Sequence, residues 1–305
     1  MSDYHLHFHP HGPAEKGPSP VGRYPLSLVE QYVEAAAARG VTELAFTEHL
    51  YRCVESAGVL GRWWDGEVDP AIAGSTSHRV AVERFISLER YVDLVLRAKA
   101  AGLPVLLGLE VDYFPESFDA VLEFLEPYPW DVLIGSVHWI GGWHFDQRGT
   151  DEEWDRRGER RVYEEYFGLK TRLAATGAMD VLAHPDRCKL TGRRPAGEPA
   201  DLYAALVEAA ASSGVAMEVS SAGLRQPAGE IYPAPTLLRM AREAGIDITL
   251  ASDAHRPDQA GWKTNEIRAA ALAAGFTHTA RFAARRRTLV PLELTDEDGD
   301  PGRPE

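Results

Sequence analysis

The sequence predicts a single closed α/β barrel-like domain on a parallel sheet. Helix-like runs alternate with short, continuously apolar segments along most of the 305 residues. Most of those runs stop at a glycine, and no Gly/Ser/Pro-rich linker divides the chain. Continuous apolar strands between helices belong to sheets covered on both faces.

The elements follow in order. "DYHLHFHPHG" opens with the first strand. In "SLVEQYVEAAAARG", Ser27 with Glu30 reads as a capping box and Gly40 as the helix stop. "VTELAFTEH" is the second strand, and a helix from about Val82 to Ala101 ends at Gly102. "LPVLLGLE" and "DVLIGSVH" are the third and fourth strands. Helices closing at Gly177, Gly214 and Gly245 lead into "MDVLAHPD", "VAMEVSSAG" and "IDITLASDAH". That makes seven strands, with a single domain over residues 1–291. The acidic stretch 292–305 reads as a disordered tail.

The strand ends carry the functional signal. They finish in His5 and His7, Glu48 and His49, Glu110, His138, His184, then Asp253 and His255. In an α/β barrel the carboxyl ends of the strands form one rim, so these side chains would converge there. A lone histidine after a strand is usually a surface or satisfied core residue; repetition at six of seven strand ends argues for a metal site. Strand periodicity points His5 and His7 to one face, roughly 7 Å apart. His9 or His11 could swing back to a second ion, and Glu110 could bridge two cations. Asp253 and His255 could serve neighbouring ions. Nitrogen and oxygen donors without thiolate suit zinc, manganese or iron. Neither Cys53 nor Cys188 reads as a ligand.

Composition narrows the partners. A net charge of −14 and a pI near 5.3 speak against nucleic acid. Two cysteines suggest no disulfide framework, in keeping with a reducing cytoplasm. Neither a signal peptide nor a membrane span is expected.

The motifs "HLH", "TEH", "GLEVDYF", "GSVHWIGGWHFD", "AHPDRCK", "SSAGLRQP", "EIYPAP" and "SDAHRP" resemble, in order, those of the PHP (polymerase and histidinol phosphatase) superfamily, and more narrowly its histidinol-phosphatase branch. The resemblance runs from about residue 3 to about residue 290. It implies a distorted (β/α)7 barrel with three divalent metal ions. His5, His7, Glu110 and Asp253 would hold one ion. Glu110, His138 and His184 would hold a second, and His49, His255 and His11 the third. His11 is chosen over His9 because the loop is shortened here to "FHPHG". Glu48 stands where aspartate is more usual, a change expected to matter little.

Such a centre would hold a phosphate dianion and supply hydroxide from a bridging water for in-line attack, with Glu110, Asp253 and His255 as catalytic residues. Arg225 and Lys189, on loops after strand ends, would bind the phosphate, with Arg256 and Arg194 as second choices. The expected reaction is hydrolysis of histidinol phosphate, a small phosphorylated substrate. Alternatives are another small phosphate ester or phosphotyrosine, or, from a different class, a non-catalytic metal-binding scaffold. A polymerase-associated nuclease lacks a basic groove here. An amidohydrolase would often use a bridging carboxylated lysine where Glu110 stands. No P-loop and no Cys-x5-Arg motif is present. The segment from Tyr51 to His78 reads either as a lid or as ordinary packing around Trp63 and Trp64, and Trp143 and His144 raise the same question. His78 and His278 read as surface residues.

Overall fold

The computed structural model describes residues 1–9, 24–147 and 150–292. Seven parallel strands form a nearly closed barrel: β1 (Ser2–Leu6), β2 (Glu43–Phe46), β3 (Val105–Asp112), β4 (Val132–Ser136), β7 (Val181–Leu182), β8 (Ala216–Ser220) and β9 (Ile248–Ala251), hydrogen-bonded in that order. Between β4 and β7 lies a small antiparallel hairpin, β5 (Trp139–Ile140) and β6 (Trp143–His144). The expected seven strands are thus the seven observed, shorter than the apolar runs because each run continues into the loop at the rim.

The barrel closes between its first and last strands. His7 N donates to Ala254 O at 2.7 Å, and Ala254 N donates to His5 O at 3.2 Å. The buried Asp3 carboxylate reinforces this seam by accepting from Ser252 N and Gly261 N, both at 2.9 Å.

Helices surround the sheet, and the glycines expected to stop them, Gly40, Gly102, Gly177, Gly214 and Gly245, all have positive φ. That conformation reverses the chain without the Cβ clash other residues suffer. Two local expectations are corrected. The first helix, Leu26–Ala37, starts one residue before Ser27; its N-cap is Pro25, and no side chain caps it. The expected helix from Val82 to Ala101 is two helices, Pro70–Glu83 and Leu88–Ala100. They break because Ile86 pairs with Cys53 and Ser87 caps the second helix, accepting from Arg90 N.

The amino-terminal end of the barrel is plugged by a second hairpin, β10 (His278–Ala283) and β11 (Arg286–Pro291). Ala280 and Phe282 join Tyr4, Ala45, Val132, Ile134, Val181, Ala183 and Ala216 in one apolar cluster. Phe282 meets Tyr4 edge-on at 6.1 Å, and its N–H donates to Tyr4 Oη at 3.0 Å. Replacing Phe282 with alanine opens a cavity there and should cost about 3–5 kcal/mol of stability, with activity per folded molecule retained. Urea denaturation checks it; a loss under about 1 kcal/mol would contradict the plug. Leu292 is buried and still paired, its N–H donating to Thr277 O at 2.9 Å; the rest of the expected tail, 293–305, lies outside the described residues. Among the described residues no helix is long and apolar enough to cross a membrane.

Candidate metal centre

The strand ends deliver their side chains to one place. His5 leaves β1 beside a register irregularity, and its ring lies 4.9 Å from that of His7. Glu110 stands near the rim end of β3, surrounded by imidazole nitrogens. His49 Nδ1 is 2.7 Å from its Oε2, and His184 Nε2 is 3.0 Å from its Oε1. His5 Nε2 follows at 3.4 Å, with His7 Nε2 and His138 Nε2 both at 3.6 Å. Asp253 Oδ1 faces His7 Nε2 at 3.4 Å, His255 Nδ1 at 3.5 Å and His5 Nε2 at 3.7 Å. Asp253 and His184 both have positive φ, at 51° and 26°. Such backbone is costly for non-glycine residues and persists where surrounding contacts impose it.

Four groups of three donors lie close enough to hold an ion: His7–His49–His255, His5–His7–Glu110, His5–His184–Asp253 and His49–Glu110–His138. All of these residues are buried. The donors fit divalent cations. His5 Nε2 and His7 Nε2 are buried and carry no hydrogen bond, and a buried imidazole nitrogen ordinarily has a partner. His5 Nδ1 is 2.8 Å from Glu218 Oε2, and His138 Nδ1 is 2.6 Å from Asp112 Oδ1. A carboxylate on one ring nitrogen orients the other toward a metal.

The charges respond accordingly. Burial by itself raises the Glu110 carboxyl, but His49, His5 and His138 outweigh it and hold the group well below the usual carboxylate range. Asp253 behaves alike: burial raises it, and His5, His7, His255 and Arg187 pull it far down. Burial lowers His49 to about 4, against the pull of Glu110.

Of the expected ligands, His5, His7, His49, Glu110, His138, His184, Asp253 and His255 come together. His11 lies outside the described residues. His9 is in none of the four groups; its Nδ1 is 2.8 Å from Glu48 Oε1, between the rings of Tyr24 and Phe85. Glu48, given little weight by sequence, is buried and accepts from Phe8 N at 2.6 Å and His9 N at 2.9 Å. It ties the chain after β1 to the end of β2.

The cationic candidates sort by their partners. Arg225 Nη2 donates to Ser252 O at 2.7 Å and Asp253 O at 2.9 Å, while its buried Nη1 carries no hydrogen bond. Lys189, expected at the phosphate, is instead buried between two acids: Nζ lies 2.8 Å from Asp186 and 2.6 Å from Glu230, so its charge is already matched. Arg194 pairs with Glu230 at 3.0 Å and Arg256 with Asp258 at 2.9 Å, both toward solvent. The guanidinium beside the ligands is Arg187, which joins Asp146 to Asp253 Oδ2, the latter at 3.3 Å. Sequence reasoning passed over it; the available signal was its place three residues after His184. Glu218 and Asp112 were missed as well.

The segment after Tyr51 is largely packing. Trp63 stacks on Phe114 at 4.2 Å and meets Trp139 at 5.3 Å, and Thr76 Oγ1 donates to Gly142 O at 2.7 Å. It walls a cleft of about 960 Å3 with Tyr113, Phe114 and Trp139. None of the described metal-site candidates lines that cleft, although Trp139 adjoins His138. Trp143 is buried under Arg157, and His144 Nε2 lies 3.3 Å from Asp146. Cys53 and Cys188 are free and buried, and burial pushes both thiols up, as suits fillers rather than ligands. His78 and His278 are exposed, as expected.

The family model for the PHP domain matches residues 26–222. A probable histidinol-phosphatase of Deinococcus radiodurans is 31% identical over 86% of this chain and 89% of its own. The histidinol-phosphatase of Bacillus subtilis is 26% identical over 85% of this chain and 95% of its own. In fold, the chain resembles a histidinol phosphate phosphatase of Lactococcus lactis, solved with zinc, L-histidinol and phosphate (TM-score 0.69, 20% identity, 94% of this chain and 98% of that one).

Proposed function

The chain belongs to the PHP domain family, in its histidinol-phosphatase branch, and from that premise we propose that it hydrolyses histidinol phosphate to histidinol and phosphate. The observation that carries this reading is the convergence of six buried imidazoles on the carboxylates of Glu110 and Asp253. That donor set suits a cluster of three divalent ions of the zinc, manganese or iron class. His5, His7, Glu110 and Asp253 would hold one, Glu110, His138 and His184 a second, and His49, His255 and His11 the third. When bound, such ions supply Lewis acidity toward phosphate oxygens and bring the pKa of water toward neutrality.

The chain's own groups do the rest. Glu218 and Asp112 hold His5 and His138 in the ring orientation that presents Nε2 to Glu110. Arg187 steadies the Asp253 carboxylate. Arg225, anchored through Nη2 to the carbonyls of residues 252 and 253, keeps Nη1 for a phosphate oxygen. Lys189 is left to hold the Glu230 loop. We take residues 1–291 as one catalytic unit. Two reduced, buried cysteines and a net charge of −14 favour a cytoplasmic enzyme acting on a small phosphorylated substrate rather than on nucleic acid or a membrane.

Steady-state kinetics with histidinol phosphate, phosphotyrosine and nucleoside monophosphates tests the assignment. kcat/KM for histidinol phosphate should exceed the others by roughly 100-fold, about 2.7 kcal/mol of transition-state discrimination. Equal efficiencies, or a preference for phosphotyrosine, would replace this substrate with the broader one.

A further inference from the structure

β7 is two residues long, so its ladder ends before His184. His184 then stands at φ 26°, where non-glycine side chains are rarely found. What holds the turn comes largely from one helix, Glu159–Thr176. Tyr166 and Lys170 lie four residues apart, on one helix face. Lys170 Nζ donates to Ala183 O at 2.7 Å and to Gly135 O in β4 at 3.0 Å. Tyr166 Oη lies 3.2 Å from His184 O and 3.1 Å from Pro185 O, and accepts from Arg187 N at 3.2 Å. Two side chains therefore face three consecutive carbonyls, 183 to 185, the single Tyr166 hydroxyl proton being shared between the last two. On the amide side, His184 N donates to Glu218 Oε1 at 3.1 Å.

Lys170 is fully buried. Withdrawing an amine or ammonium from water is costly, and a methionine would fill the same space without that cost. Burial lowers its pKa to about 7, against the pull of Glu110, Glu218 and Asp112; charged or neutral, its N–H bonds reach the two carbonyls. Its placement is thus explained by the carbonyls it binds and the acidic centre above it, not by packing.

We propose that Lys170, seconded by Tyr166, is a positioning residue: it fixes the His184 turn so that Nε2 stays beside Glu110 Oε1, ready for a cation, without touching substrate. The inference rests on the reading of His184 as a metal ligand.

Zinc affinity of the folded protein, measured by competition with a chromophoric chelator, tests it as a double-mutant cycle. Lys170→Met should weaken one zinc roughly 10–100-fold, and should weaken it no further in a His184→Ala background. Tyr166→Phe, which removes a single hydroxyl, should act in the same direction and carries the cycle if Lys170→Met does not fold. Wild-type zinc affinity in the variant that folds would overturn the proposal, as would an undiminished additional loss in the His184→Ala background, the mark of a merely structural role. If His184→Ala itself leaves zinc binding unchanged, the ligand reading fails and takes this one with it. If His184→Ala loses zinc and the Lys170 and Tyr166 variants do not, only the positioning role fails.

Discussion

Replacing Glu110 with glutamine is expected to lower kcat roughly 1,000-fold, about 4 kcal/mol of transition-state stabilisation, while leaving the barrel folded. The two side chains have nearly the same shape, but glutamine carries no charge and turns an N–H2 toward nitrogens that now face a carboxylate. His49, His184, His5, His138 and His7 all lie within 3.6 Å of Glu110 oxygens. Among the described residues no other carboxylate of the centre meets that many rings, and two of the three ions proposed here would lose the group they share. The backbone has no reason to move, since Glu110 N donates to Glu48 O at 2.9 Å and β3 keeps its pairing with β4. Kinetics, metal analysis and thermal melting on the same preparation decide it. A variant with a full complement of metal and kcat within tenfold of wild type would remove Glu110 from the centre of the chemistry.

Stripping the protein with a chelator should abolish turnover, restore it on adding zinc, manganese or iron(II), and lower the melting temperature. The stability effect follows from linkage: ligand at about 1,000 times its Kd stabilises by about 4 kcal/mol. In the stripped protein, His5, His7 and His138 are raised despite burial by their carboxylate neighbours and favour the fold at lower pH, whereas His49 and His144 make it acid-sensitive. Burial lowers His49 and His144 to about 4 in the fold, against about 6.5 when unfolded. A histidine with a depressed folded pKa is neutral in the native state while its unfolded counterpart takes up a proton. Its contribution is therefore intact above about pH 6.5 and lost progressively as pH falls toward 4. Imidazole NMR titration of stripped protein between pH 8 and 4 checks the direction. Activity that survives complete metal removal would sink the metal-centre reading; imidazole NMR signals of His49 and His144 that titrate near pH 6.5 in the stripped protein would sink their assignment as neutral in the fold.

Much of the centre was legible because strand ends are a one-dimensional signal. In a parallel barrel every strand finishes at the same rim, so a histidine or acid after an apolar run can be assigned to that rim without knowing its neighbours. That logic reached His5, His7, His49, Glu110, His138, His184, Asp253 and His255. It could not reach the groups that orient them. Glu218 meets His5 across 213 positions, and nothing in the local pattern of β8 marks its carboxylate as turned inward to an imidazole. Lys170 sits in an ordinary helical run, where a lysine reads as solvated. Lys189 erred the other way: its place after a strand end suggested an open cation, but Asp186 and Glu230 had already claimed it. The Ser27 and Val82–Ala101 expectations failed for a related reason, since caps and helix breaks depend on pairings such as Cys53 with Ile86 that only the folded chain makes.

By itself, then, the sequence determined the order of the seven barrel strands, the candidate ligand residues and the rim at which they gather, because alternation, period and glycine stops act over a few residues. Only the tertiary structure decided which nitrogen of each ring faces Glu110, which arginine stands against Asp253, and why a buried lysine lies beneath His184. Those outcomes depend on distances of about 3 Å between residues that are far apart in the chain, and on the desolvation that makes each such contact strong.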